Sequence, residues 1–140
     1  MKTVVDTNVL FSFFKEDSFT RRLIILNDIE WIAPEQALHE LRKYSDIIAE
    51  KSHKQVEPAL EILREYVQFF KLEDYSTYLG EAERLFSDLS DAEKKEAFED
   101  IDFVALALKE QCPLWSNDKL LKKQNKISVF TTTEMAKLLN

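Results

Sequence analysis

MKTVVDTNVL, residues 1–10, is the stretch from which the rest of the chain can be read. Thr3 to Val5 is a short apolar run that ends in a carboxylate, Asp6, followed by Thr7 and Asn8, residues that start helices well. The pattern predicts a β-strand whose carboxyl end presents an acid at a strand-to-helix turn. In an α/β sheet such ends are where ligands bind. One carboxylate is not a site; it becomes part of one only if the fold delivers other acids to the same edge.

Composition bounds what that edge can do. The 140 residues suit one domain, 1–140, and a single Gly and three Pro leave no flexible linker. The net charge of −7 argues against a generally basic nucleic-acid-binding surface, although Lys119, Lys122, Lys123 and Lys126 follow an acid-rich stretch from Glu73 to Asp102. No apolar run approaches the ~18 residues of a membrane span. Asp6 and Asn8 also interrupt the first apolar stretch before it reaches signal-peptide length. A lone Cys112 before Pro113 reads as a packed thiol in a reducing compartment, hence a cytoplasmic location. With only His39, facing outward, and His53, in a polar turn, a histidine-rich zinc site or a histidine triad is disfavoured.

Downstream of the first strand, Val9 to Phe14 predicts an apolar helix, and Ser18 caps a second with Leu23, Ile24 and Leu26 inward. Glu30 to Ala33 predicts a second strand. Pro34 opens a helix through Lys51 in which Ala37, Leu38, Leu41, Tyr44 and Ile48 form one apolar arc. Glu40 sits on the flank of that arc, where a glutamate usually reaches to water past its own methylenes. Pro58 starts or kinks a helix with Leu60, Leu63, Val67 and Phe70 inward, Phe69 to Leu72 predicts a strand, and Tyr75 to Leu89 a helix. Ser90 and Glu93 form a capping box for a helix over Asp91 to Phe98.

The stretch FEDIDFVALALKEQCPLWSNDKLL, residues 98–121, is the most informative after the first. Ile101 to Leu108 is apolar nearly throughout and predicts a buried helix. Asp100 and Asp102 stand in its first turn, where free amides and the helix dipole favour a carboxylate, so both also read as ordinary caps. Leu114 to Ser116 predicts a buried strand that ends at Asn117 and Asp118 before another helix, repeating the opening arrangement. Ile127 to Phe130 predicts a last strand and Thr133 to Leu139 a last helix, capped by Thr131 or Thr132.

Strands alternating with helices predict an α/β fold with a parallel sheet covered on both faces. All strand carboxyl ends then lie on one edge. Asp6 and Asp118 share that edge, the helix start at Asp100 is delivered to it, and Glu40, in the helix after the second strand, reaches it. Four carboxylates in one pocket repel unless a cation sits among them, and the chain offers no buried Arg or Lys at these strand ends. Oxygen-only ligands favour Mg²⁺ or Mn²⁺ over Zn²⁺, and such an ion with open water positions serves phosphoryl chemistry.

Taken together, VVDTNVL (4–10), ALHELRKY (37–44) and DIDFVALALKEQCPLWSND (100–118) resemble the PIN-domain nucleases, which include the toxin ribonucleases of VapBC-type modules. The resemblance spans essentially the whole chain. In that family the third acid precedes the fourth by about eighteen residues, across an alanine-rich helix, a proline and a Ser/Thr-x-Asp. Asp100 and Asp118 have that spacing, with Asp102 two residues on to supplement or replace Asp100. The resemblance implies a three-layer sandwich, with a short central parallel sheet of four to five strands flanked by helices. It also implies a metal-dependent endoribonuclease in which Asp6, Glu40, Asp100 and Asp118 hold one or two Mg²⁺ or Mn²⁺ ions. Asn8, Ser116 and Asp102 would then orient the ligands, and Lys119, Lys122 and Lys123 would contact the RNA backbone. A homodimer and an inhibitory antitoxin partner are implied as well.

Two other classes compete with this reading. A non-catalytic PIN-like module binding RNA or a protein partner is the alternative, and the four acids count against it. A carboxylate-metal phosphatase wants an aspartate two residues after the first, where Asn8 stands, and a receiver domain wants an acidic pair that Lys2 to Val5 lacks.

Overall fold

The computed structural model describes residues 1–139. β1 (Lys2–Val5) carries Val4 and Val5 on opposite faces, and both are fully buried, so the sheet is covered on both sides. It leads through α1 (Thr7–Phe13) and α2 (Phe19–Leu26) to β2 (Glu30–Pro34). α3 (Glu35–Lys43), α4 (Ser45–Ser52) and α5 (Val56–Arg64) then connect to β3 (Val67–Phe70). α6 (Leu72–Tyr75), a 3₁₀ turn (Ser76–Tyr78), α7 (Leu79–Arg84), α8 (Asp91–Phe98) and α9 (Ile101–Glu110) return the chain to β4 (Leu114–Trp115). A second 3₁₀ turn (Lys119–Lys122), β5 (Val129–Phe130) and α10 (Thr132–Leu139) complete the described chain.

The five strands are all parallel, in the order β3-β2-β1-β4-β5. From β1 the chain steps one way to β2 and β3, then crosses back to β4 on the other side. Right-handed crossovers therefore place α1 to α5 over one face and α6 to α9 over the other. α9 packs on β1, β2 and β4, with Phe103, Ala105 and Leu106 fully buried. Burying a side chain of Leu or Phe size contributes about 1.5–3 kcal/mol, so this helix is a principal anchor of the core. The reversal of strand order between β1 and β4 makes that junction a switch point, where the departing loops part and open a crevice. Val5 lies opposite Trp115 in the register, and the Asp6 amide donates to the Trp115 carbonyl at 3.0 Å.

The expected α/β fold with a parallel sheet is present, and several boundaries differ from the sequence reading. The helix expected from Pro34 to Lys51 breaks at Tyr44, whose backbone (φ −111°, ψ 39°) leaves the helical region. The break turns α4 so that Ile48 is buried while Tyr44 is exposed, its ring edge-on to Phe11 at 5.8 Å. Pro34 is both the last residue of β2 and the N-cap of α3, which starts at Glu35. The third strand starts at Val67, because pairing with Trp31 to Pro34 runs from Val67 to Phe70. Leu72 belongs to α6. The helix expected over Tyr75 to Leu89 is broken as well: Tyr75 (φ −131°) turns out of helical geometry, and α7 ends at Arg84. After Asp118 the helix is one 3₁₀ turn, and the last strand is confined to Val129 and Phe130.

Candidate functional site

The switch point brings Asp6 and Asp118 together because β1 and β4 are neighbours that end level. Ser116 joins them. It is fully buried, its hydroxyl donates to Asp6 Oδ2 at 2.6 Å, and the Asp118 amide donates to the same Oγ at 3.1 Å. Asp118 Oδ1 in turn accepts the Leu120 amide at 3.0 Å, which sets the direction of the loop leaving β4. Asn117, which sequence reasoning did not single out, pins this loop to the start of α10. Its Oδ1 accepts the Thr132 amide at 2.8 Å and its Nδ2 donates to Thr132 Oγ1 at 3.0 Å.

Asp6 is itself buried, and burial raises its pKa; Ser116 and the nearby Thr7 and Asn8 amides draw it back, while the charge of Asp118 adds to the rise. Neither amide reaches proper hydrogen-bond geometry, so Asp6 does not cap α1. Asp100 does not cap α9 either, which leaves its carboxylate to the crevice. Burial first, then the charges of Asp6, Asp118, Glu40 and Glu99, pushes its pKa up to about 8. Glu40 is half-buried and also raised, chiefly by burial; Thr7 and Gln36 lie beside it, and the charges of Asp6 and Asp102 act on it. The Gln36 amide donates to Glu40 Oε1 at 3.2 Å, and the buried Thr7 hydroxyl, which makes no other hydrogen bond among the described residues, also faces Glu40 and lowers its pKa.

The structure thus places Asp6, Glu40, Asp100 and Asp118 within one another's electrostatic reach, and none of them is in an ion pair among the described residues. Asp102 stands apart from Asp100: Tyr75 Oη donates to its Oδ2 at 2.6 Å. Asn8, expected to orient the ligands, is exposed, and its side chain makes no hydrogen bond to these acids among the described residues. Lys122 is paired with Glu134, and Lys123 with Glu93 at 2.6 Å; Lys119 is exposed and in no ion pair among the described residues. Sequence reasoning did not pair Tyr75 with Asp102, and no local pattern marked that contact. A cavity of about 450 Å³ lies at the opposite, amino edge of the sheet, lined by Met1, Gln111, Cys112, Pro113, Ser128 and Leu138 among others, and none of the acids faces it.

The donors fit a hard divalent cation in type: carboxylate oxygens with no Lys or Arg paired to them among the described residues. Among the described residues, though, no three of these acids are already gathered closely enough to hold an ion. Mutual repulsion between uncompensated carboxylates keeps such a group apart.

An α/β protein with carboxylates at the switch crevice of a parallel 3-2-1-4-5 sheet is the class this fold and site define. The chain belongs to the PIN-domain family, whose model matches residues 4–139. In fold it is similar to a chain of VapBC2 from Rickettsia felis, solved bound to a DNA fragment from their promoter. The TM-score is 0.68 at 14% identity, over 94% of this chain and 98% of that one. No curated protein sequence matches it.

Proposed function

We propose that the protein acts, as one domain, as a Mg²⁺- or Mn²⁺-dependent endoribonuclease and the toxin of a toxin–antitoxin pair. The reading is supported by the mutual charge effects that link Asp6, Glu40, Asp100 and Asp118 at the crevice of a PIN fold, with no Lys or Arg paired to them among the described residues. The antitoxin partner rests on the likeness to VapBC2. A divalent ion, when bound, supplies charge neutralisation at the scissile phosphate and lowers the pKa of water. The chain's own residues do the rest. Asp6, held by Ser116, and Asp118, held by its turn, present oxygens from two adjacent strand ends. Asp100 and Glu40 enclose the other sides, and Lys119 stands just beyond Asp118 to meet a backbone phosphate.

Incubation of single-stranded RNA with the protein and Mn²⁺, beside Asp6→Asn, tests this directly. Cleavage by the wild type alone is expected; equal cleavage by both proteins would sink the reading. A non-catalytic PIN module is the second reading, favoured by the acids not being gathered into a ligand group. Absence of Mg²⁺ and Mn²⁺ binding in a calorimetric titration would decide for it. The homodimer is tested by light scattering of the purified chain.

A further inference from the structure

We infer that Asn117 is a positioning residue for Asp118: its two hydrogen bonds to Thr132 fix the carboxyl end of β4 against α10, which makes α10 part of the frame that holds the site. The inference deepens the metal-dependent reading and rests on it. Asn117 Oδ1 accepts the Thr132 amide at 2.8 Å, and its Nδ2 donates to Thr132 Oγ1 at 3.0 Å. The Thr132 amide opens α10, where no carbonyl of the helix itself can receive it, so the asparagine satisfies a donor that the helix leaves over. Trp115 Nε1 donates to the same hydroxyl at 3.0 Å.

The ladder between β4 and β5 shows what this contact replaces. The Leu114 amide donates to the Ser128 carbonyl at 2.9 Å and the Ser116 amide to the Phe130 carbonyl at 3.0 Å, a two-residue step that reaches Thr132 next. In a continued parallel ladder the Thr132 amide would go to a main-chain carbonyl of β4. It goes to the Asn117 side chain instead, so the main chain is free to leave the sheet and turn while still tied to β5 and α10. Side chains alternate along an extended segment, so Trp115 and Asn117 reach Thr132 on one side while Ser116 reaches Asp6 on the other. Asp118 follows at once, its amide on Ser116 Oγ and its Oδ1 on the Leu120 amide. Beyond the turn, Lys122 pairs with Glu134 of α10, but an exposed ion pair holds position weakly. The two-bond contact of Asn117 is therefore the firmer anchor of the loop on its α10 side.

Calorimetric Mn²⁺ titration and RNA-cleavage kinetics of the full chain test this in wild type, Asn117→Ala, Thr132→Val, their double variant and Thr132→Ser, at a temperature where circular dichroism shows each protein folded. Asn117 is exposed, so its truncation leaves no cavity. Thr132→Val keeps the side-chain shape and loses the hydroxyl, and Thr132→Ser restores it. The expected result for Asn117→Ala and Thr132→Val is a roughly tenfold weaker Mn²⁺ affinity and a lower kcat with the KM for RNA unchanged. The double variant should lose no more than the larger single loss, and Thr132→Ser should behave as wild type. A lowered melting temperature with wild-type Mn²⁺ affinity and kcat in Asn117→Ala would make the contact structural only and overturn the inference. If cleavage were still abolished in Asp6→Asn, the metal-dependent reading would stand. No Mn²⁺ binding and no cleavage by the wild type would overturn both.

Discussion

Ser116 Oγ donates to Asp6 Oδ2 over 2.6 Å, and this one buried bond ties the end of β4 to the end of β1 across 110 residues of sequence. The same oxygen accepts the Asp118 amide at 3.1 Å. The relative position of two of the four proposed site acids is thereby set by a hydroxyl that carries no charge of its own.

Ser116→Ala removes both bonds and leaves Asp6 buried with its neighbours repelling it. A loss of about 1–3 kcal/mol of folding stability is expected from the unsatisfied carboxylate. Mn²⁺ affinity should fall about tenfold or more, as when an outer hydrogen bond to a metal ligand is lost. Urea unfolding and calorimetry measure the two; a variant with wild-type values in both would show that Asp6 is positioned by other means.

The pH dependence of metal-free stability follows from Asp100. Its pKa rises from 3.8 to about 8 on folding, so between those values the folded state binds the extra proton. The stabilisation linked to that proton is complete below about pH 4 and is lost as pH rises through about 8. Asp6 and Glu40, also raised, act in the same direction. Asp100→Asn should therefore melt above the wild type at pH 8.5, by on the order of 5 °C. This is less than the shift alone converts to, because the half-buried group is partly screened by water. The difference should close towards pH 4. Thermal melts in EDTA check this, and a gap that widens on acidification would contradict it.

Adding Mn²⁺ should offset the same repulsion, and only deprotonated acids take a metal. The Mn²⁺-induced rise in melting temperature is therefore expected to be larger at pH 8 than at pH 5.5. An equal rise at both values would place the ion away from Asp100.

Of the three lysines proposed to contact RNA, Lys119 is the one outside the ion pairs, among the described residues, that engage Lys122 and Lys123. Lys119→Ala should weaken RNA binding by catalytically inert Asp6→Asn protein and lower the salt slope of log K by about 0.7. Lys123→Ala should change the slope less, since that lysine must first leave Glu93. Binding measured from 50 to 200 mM salt distinguishes them, and equal slopes for the two variants would refute the ranking.

Trp115 supports the site from below, fully buried, its ring 5.4 Å from Trp31 and its Nε1 donating to Thr132 at 3.0 Å. Trp115→Ala should cost about 3–5 kcal/mol by cavity formation. Denaturant unfolding reads this directly, and a loss below about 1 kcal/mol would mean that the strand end collapses without strain.

The sequence by itself determined the order of elements and the identity of the acids. Apolar runs such as Thr3 to Val5 and Ile101 to Leu108 announce strand or buried helix through local patterning, which survives whatever surrounds it. Asp6 and Asp118 were legible because each ends such a run. The tertiary structure decided what no local pattern encodes: which strands are neighbours, and so which side chains meet. The reversal between β1 and β4 is a property of the whole chain path, and it alone turns Ser116 into the partner of Asp6. Breaks at Tyr44 and Tyr75 were equally hidden, since the helical spacing continues through both in sequence. At Tyr44 the packing of Ile48 overrides that spacing, and at Tyr75 a buried hydroxyl finds Asp102. Asp100 and Asp102 looked interchangeable as helix-start acids. Only their surroundings separate them, one among the other acids of the crevice and the other held by a phenol.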